Sequence, residues 1–144
     1  MLRGQRKGEV KVELIKDNHC FVCGKKNHDG LKLEVIRDGD KGVRAEFIAH
    51  DRYRGWSKYL HGGVISLIFD ELLGWNAMYL GYDAVTARME VRYRKPIPLG
   101  SRVIFKGNLE RVIKGILEIK TAAYLEDGSL VAEGRGKMVI VNSK

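Results

Sequence analysis

One segment of this sequence predicts a long helix, and it stands alone among strands. Residues 61–79, HGGVISLIFDELLGWNAMY, are apolar on nearly every side, and Gly81 lies just beyond their end. Two strand patterns precede the segment, and four follow it without a further helical pattern. Strands joined by tight turns pair antiparallel, and a single apolar helix must be buried against their sheet. We therefore predict an α+β fold, with one long helix in the concave face of an antiparallel sheet of five to six strands.

Alternation of apolar and polar residues predicts where the strands lie. Residues 31–38 and 42–49 flank the turn GDK and suit a hairpin, and residues 101–109, 116–125 and 129–141 supply the last three strands. The clearest strand is 85–94, in which Val85, Ala87, Met89, Val91 and Tyr93 alternate with Thr86, Arg88, Glu90, Arg92 and Arg94. This alternation predicts that Thr86 lies on a polar face together with the arginines.

Length and composition predict one domain over residues 1–144. The chain has no linker, repeat or low-complexity tract, and 44% of its residues are hydrophobic, which suits a globular fold. Its longest apolar run, residues 64–69, is too short to span a membrane, and the polar, basic start MLRGQRKGEV indicates no secretory signal. We expect a cytoplasmic protein. The net charge of +8 favours a polyanionic partner without choosing one, and a solvated basic surface explains it equally well.

Two cysteines and two histidines lie close together in HCFVCGKKNH. Cys20, Cys23 and His28 have the C-x2-C-x4-H spacing that begins a zinc knuckle, which, together with the basic charge, would suggest RNA binding. The fourth ligand would fall at Leu33, however, and His19 is adjacent to Cys20. No thioredoxin-like unit surrounds the pair, and a disulfide is disfavoured in a reducing cytosol. We expect a glycine-ended turn with half-buried thiols and no metal.

The predicted helix begins with glycines and contains an acid. Free backbone N–H groups and a partial positive charge at Gly62 and Gly63 can form an oxyanion hole. Asp70 shares that side of the helix, and apolar neighbours would desolvate its carboxylate and raise its pKa, as suits a base or nucleophile. Tight helix–sheet packing and an arginine partner for Asp70 are structural alternatives, and Glu71, about 100° round the helix, is a rival carboxylate.

Distance along the helix requires a second copy of the chain. The seven residues from Gly63 to Asp70 span about 10 Å, so one helix cannot present both groups to the same carbonyl. Two antiparallel helices related by a two-fold axis would bring the glycine end of one to the aspartate of the other. The catalytic interpretation therefore predicts a homodimer with two shared sites.

A known family has a similar pattern. HGGVISLIFDE, preceded by RGWSKYL and followed by RMEVRYRKPIPLG, resembles the hotdog-fold acyl-CoA thioesterases of the phenylacetyl-CoA and 4-hydroxybenzoyl-CoA types. The resemblance extends from about Cys20 to Val141 and includes CFVCG, which is typical of one bacterial branch without being a recognised metal site. It implies a hotdog fold, a dimer or dimer of dimers, and hydrolysis of an acyl-CoA thioester to free acid and CoA. No metal or separate cofactor is implied, since CoA is part of the substrate.

The resemblance also implies roles for individual residues. His61 would start the helix and brace the preceding loop, and the N–H of Gly62 would polarise the thioester carbonyl, with Gly63 also at the substrate. Asp70 would activate water or attack directly. Thr86 would help to position the water.

The loop before the helix departs from the family pattern. Many relatives carry Asn or Gln where this chain has Gly55, so Arg54 must take over that contact or the site lacks it. The aromatic loop containing Trp56 would lie beside the acyl chain. Arg135 and Lys137 in EGRGKM resemble residues that contact CoA, and Arg and Lys both suit its phosphates.

Three other functions remain open at the level of sequence. A hotdog protein can bind or sense acyl-CoA without turnover, since fold does not fix function. A hotdog dehydratase pairs a loop histidine with a helix carboxylate in a different motif. A zinc-knuckle RNA binder would need stoichiometric zinc. We favour the thioesterase and expect neither nucleic acid nor a membrane as a partner.

Overall fold

The computed structural model describes residues 12–142, so the basic start at residues 1–10 lies outside it. One helix and six strands follow one another in the order β1 (Ile36–Asp38), β2 (Gly42–Ile48), α1 (Gly62–Tyr79), β3 (Ala84–Tyr93), β4 (Arg102–Ile113), β5 (Ile116–Leu125) and β6 (Leu130–Ile140), with a short 3₁₀ turn at Asp51–Tyr53 before α1. Within residues 12–142 no helix is long and apolar enough to cross a membrane.

The strands form a single antiparallel sheet in the order β1-β2-β4-β5-β6-β3, and α1 packs against it. The predicted fold class is confirmed: one long helix against a six-stranded antiparallel sheet is the hotdog fold. β3 pairs with β6 on one side and is the last strand of the sheet. This position leaves the 10-residue strand with an edge that no other described strand covers.

The core lies between α1 and the inner face of the sheet. Phe69 is fully buried and meets the ring of Phe105 edge-on, with centroids 5.7 Å apart. Burying one such side chain stabilises the fold by about 1.5–3 kcal/mol. The helix approaches β6 so closely that a Cβ at Gly136 would collide with the Leu73 side chain, and one at Gly134 would lie 3.3 Å from Phe69. Small residues on this strand therefore let the helix sit against the sheet.

The first strand is shorter than predicted. Residues 31–38 were expected to form it, but β1 is Ile36–Asp38. The backbone N–H of Leu31 donates to Phe21 and that of Leu33 donates to Val22. The first half of the expected strand therefore pairs with the loop before it instead of with β2, although Leu33 is buried as its apolar character suggested.

The face predicted for Thr86 is wrong. The register between β3 and β6 shifts between Thr86 and Arg88, so Thr86 lies opposite the buried Met138 and Arg88 lies opposite the exposed Lys137. An extra residue in one strand reverses which side the following residues face. Thr86 therefore faces the helix, and the arginine after the bulge faces outward.

Candidate active site

The start of α1 is held by the residue that precedes it. The side chain of His61 caps the helix, since its Nδ1 accepts a hydrogen bond of 2.8 Å from the backbone N–H of Gly63. A Cβ on residue 63 would lie 2.9 Å from that nitrogen, so a glycine permits the contact. The His61 N–H donates to the carbonyl of Tyr53 at 2.9 Å, which ties the preceding loop to the helix. The Gly63 N–H, expected to face substrate, is therefore engaged within the chain.

The first helical residue, Gly62, presents the backbone donor of interest. None of the hydrogen bonds found among residues 12–142 uses its N–H, which points out of the helix end as the first amides of a helix do. The Tyr93 ring lies 3.4 Å from where a Cβ would be, and its hydroxyl donates to the Gly62 carbonyl at 3.2 Å and contacts the Ser66 hydroxyl. The helix end is thus fixed in place while one donor stays available.

Asp70 and Thr86 form the polar pair of the site. The Thr86 hydroxyl donates a hydrogen bond of 2.7 Å to Oδ1 of Asp70. The alternative in which Asp70 pairs with an arginine of β3 is not seen in the described structure, where Arg88 pairs with Glu90 and Arg94 with Glu133.

The burial expected for Asp70 is wrong for the single chain, in which its side chain is exposed. Phe69, Leu72 and Leu73 are fully buried in the core, but Asp70 lies at the side of the helix that faces the open edge strand β3. Neighbours in sequence therefore do not desolvate the carboxylate, and covering it would require a second molecule.

Glu71, the rival carboxylate, faces a different part of the molecule. Its Oε1 lies 3.6 Å from Sγ of Cys20, and its Oε2 accepts a hydrogen bond of 2.9 Å from the Trp75 indole. Burial, followed by hydrogen bonding to Glu71, raises the pKa of the neighbouring Cys23 thiol to about 12. Glu71 therefore contacts the N-terminal loop, whereas Asp70 contacts β3. The contact between Cys20 and Glu71 joins residues 51 positions apart, so no local spacing could have revealed it.

The loop before the helix offers no side-chain amide to the site. A Cβ on Gly55 would lie 3.0 Å from Cα of His61, so a larger residue here would be in tight contact with His61. Arg54 bends back to Asp51, with its Nε donating to the carbonyl at 2.9 Å. The contact suggested for Arg54 is therefore not made within the chain, and Trp56 is 84% exposed.

The two basic residues of β6 lie on the outer face of the sheet. Arg135 pairs with Glu110 at 2.5 Å, and Lys137 is exposed beside a groove of about 220 Å³. Gly134 and Gly136 alternate with them and face the helix. The sheet therefore separates Arg135 and Lys137 from Asp70 of the same chain.

Within one chain the structure joins Asp70 to Thr86 but not to Gly62. Asp70 lies eight positions after Gly62, which corresponds to about 12 Å along a helix axis. A carboxylate with a bound hydroxyl and a separate free N–H at a helix end are the parts needed to activate a nucleophile and to stabilise an oxyanion.

A family model described as the thioesterase superfamily matches residues 57–132, which is more than half of the chain. The chain belongs to this superfamily. The matched region contains α1, β3 and the helix end, so the family assignment and the candidate site rest on the same residues.

Individual thioesterase relatives agree with the family. The acyl-coenzyme A thioesterase THEM4 of Xenopus laevis is 39% identical over 54 residues, which make up 38% of this chain and 24% of that protein. The match therefore spans about a quarter of the length of this curated relative.

Solved structures show the same fold. The crystal structure of a thioesterase superfamily protein is 26% identical with a TM-score of 0.80, covering 85% of this chain and 60% of that one. A protein of Streptococcus mutans bound to acetyl-CoA is 19% identical with a TM-score of 0.73, covering 78% of this chain and 90% of that one.

Proposed function

We propose that the protein is an acyl-CoA thioesterase, which hydrolyses an acyl-CoA thioester to a free acid and CoA. Membership of the thioesterase superfamily supports the reaction class, and the naming of the Xenopus laevis relative supports acyl-CoA as substrate. The acetyl-CoA bound to the Streptococcus mutans protein supports the same ligand class. The cytoplasmic location expected from the sequence belongs to this proposal.

The hydrogen bond from Thr86 to Asp70 is the observation that carries the proposal. It fixes Oδ1 of Asp70 and leaves Oδ2 to act, either as a base on water or as a nucleophile. In the first case water gives a proton to Asp70 and attacks the carbonyl carbon, the carbon–sulfur bond breaks, and CoA leaves and takes up the proton. Thr86 keeps lone pairs that can accept a hydrogen bond from that water.

The oxyanion formed in this step needs a donor, and the free N–H of Gly62 at the positive end of α1 suits it. Because about 12 Å separates Gly62 from Asp70 along one helix, the donor must come from a second copy. The uncovered edge of β3 supports such a homodimer, since an unpaired strand edge is a template for pairing. A partner there would also cover Asp70. Assembly of two such dimers into a tetramer is equally compatible with this proposal.

Basic and aromatic residues away from the pair are the proposed contacts for the rest of the substrate. Arg135 and Lys137 are exposed on the outer face of the sheet and would bind CoA phosphates there. Arg54 and Trp56 are exposed on the loop before the helix and would lie beside the acyl group. The proposal needs no cofactor beyond the CoA of the substrate.

One observation favours a second candidate, a protein that binds or senses acyl-CoA without turnover. Gly55 lacks the amide side chain that many relatives carry there, and a Cβ at this position would already lie 3.0 Å from Cα of His61. A site without that group could hold the thioester and fail to orient water.

Release of free thiol from short, long and aromatic acyl-CoAs distinguishes the two candidates. We expect turnover by the wild type and a loss of about 10²-fold or more in Asp70→Asn, the scale of removing a general base. Glu46→Gln is the matched control, because Glu46 is a carboxylate that pairs outward with Arg102 on strands far from β3 in the sheet. Binding of acyl-CoA without thiol release would favour the sensor, and an unimpaired Asp70→Asn would contradict the role of Asp70.

A further inference from the structure

A second cluster of reactive side chains lies on the other side of α1 from Thr86. The loop before β1 brings Cys20 and Cys23 against Glu71, and one ligand atom from each of the three lies within 4.8 Å of the others. We call these three residues the Cys–Glu cluster. Neither the acyl-CoA chemistry nor the packing of the core uses it.

The turn that carries the cysteines is built around a sulfur atom. The backbone N–H groups of Val22 and Cys23 approach Sγ of Cys20 at 3.4 and 3.5 Å. The N–H of Gly24 donates to the Cys20 carbonyl at 2.9 Å, and a Cβ on Gly24 would lie 2.6 Å from the carbonyl of Asn18. Two amide donors aimed at one sulfur supply the outer-shell hydrogen bonds that orient a metal ligand.

The distances suit zinc. Zinc binds sulfur at about 2.3 Å and carboxylate oxygen at about 2.1 Å, so a tetrahedral ion holds sulfur and oxygen about 3.6 Å apart. Cys20 Sγ and Glu71 Oε1 are 3.6 Å apart. The Trp75 indole holds Oε2 at 2.9 Å, which orients the carboxylate in the way that an outer-shell donor orients a metal ligand.

Charge also favours a divalent cation at the cluster. Zinc displaces the protons of the thiols that bind it. The resulting two thiolates and one carboxylate carry three negative charges, and the divalent ion balances two of them. The Lys16 ammonium lies 3.6 Å from Sγ of Cys23 and 3.9 Å from the centre of the Trp75 ring, and it balances the third.

We propose that Cys20, Cys23 and Glu71 bind one zinc ion, with a fourth position open to a small ligand such as water. A cavity of about 480 Å³, lined by both cysteines, Trp75 and Tyr79, adjoins the cluster and gives the ion a path of entry. The ion fastens the N-terminal loop to α1 at the residue next to Asp70. This proposal differs from the sequence-based expectation of a turn without metal, and His28 is not among the proposed ligands.

Metal binding by the full chain tests this proposal. The protein is kept reduced with a phosphine, stripped with a chelator and titrated with Zn²⁺ or with Co²⁺. We expect one equivalent of either ion, and the cobalt form should show a thiolate charge-transfer band with the strong visible bands of a tetrahedral site. Cys20→Ser and Cys23→Ser should lose that band, and Glu71→Gln should weaken zinc binding by at least about 10-fold.

Two controls keep the result decisive. His28→Ala should bind zinc as the wild type does, because His28 is not part of the Cys–Glu cluster. Asp70→Asn should also bind it unchanged, so failure of the thioesterase proposal and failure of this one are separate outcomes. A reduced protein that takes up no ion overturns the site, as does loss of binding in His28→Ala. A Cys20–Cys23 disulfide that forms readily in place of metal uptake would assign a redox pair instead.

Discussion

The Thr86 hydroxyl donates a hydrogen bond to Asp70, and a substitution can remove this bond while keeping the shape of the side chain. Thr86→Val keeps a β-branched side chain on β3 and removes the donor. A hydrogen bond to a charged group contributes about 1.5–3 kcal/mol, so we expect kcat to fall by roughly 10- to 150-fold. Steady-state thiol release measures this fall, and Thr86→Ser should recover most of it. Equal losses in both variants would show that the methyl group, and not the hydrogen bond, matters.

His61 acts on the helix through its cap. His61→Ala removes the acceptor for the Gly63 N–H, and we expect the free energy of unfolding to fall by about 1 kcal/mol. His61→Asn supplies another good N-cap side chain and should restore most of that stability. Urea denaturation at fixed pH measures both changes. If Asn and Ala destabilise equally, the ring of His61 contributes through packing against Gly55 and not through the cap.

The position of a residue in the site could be predicted from the sequence when its contacts lie close to it along the chain. The spacing from His61 to Asp70 lies within one helix, so the sequence placed both on it. The side to which Thr86 points depends on one extra residue in β3. The alternation of apolar and polar residues does not reveal such a bulge. The partner of the cysteines was missed because Glu71 meets them through the folded chain.

At the scale of elements, the close approach of α1 to β6 sets a limit on residue size. Gly134→Ala should destabilise the fold by about 1–3 kcal/mol, because its Cβ would lie 2.7 Å from the Glu90 carbonyl and 3.3 Å from Phe69. Chemical denaturation measures the loss. Lys120→Ala, on the outer face of β5, is the control and should stay within about 0.5 kcal/mol of wild type. A neutral Gly134→Ala would mean that both the neighbouring strands and the helix can shift to make room for a methyl group at this position.

Element types were more predictable than element ends. The helix at residues 61–79 was confirmed to within a residue, because a long apolar segment with a histidine before two glycines has one clear start. The first strand was predicted too long. Leu33 is buried by the N-terminal loop, and an apolar residue has the same pattern in the sequence whether a strand or a loop buries it. Alternation reports which side chains are covered, and it does not report what covers them.

At the scale of the whole molecule, the free N–H of Gly62 can be removed with little other change. Proline is tolerated at the first position of a helix, and the extended conformation of His61, with φ −62° and ψ 130°, suits a residue before proline. We expect Gly62→Pro to fold normally and to lose about 10²- to 10³-fold in kcat, the scale of one oxyanion-hole donor. Gly62→Ala keeps the N–H and should retain activity.

The same variant shows whether two chains share each site. Gly62→Pro and Asp70→Asn are both expected to be inactive alone, but a mixed dimer would pair the intact Gly62 of one chain with the intact Asp70 of the other. Random pairing makes half of the dimers mixed with one working site in each, so co-refolded chains should recover about a quarter of wild-type activity. Thiol release measures the recovered activity, and light scattering measures the mass of the refolded dimers. Recovery no greater than the sum of the two parents would mean that each chain builds its own site, and the uncovered edge of β3 would then need another partner.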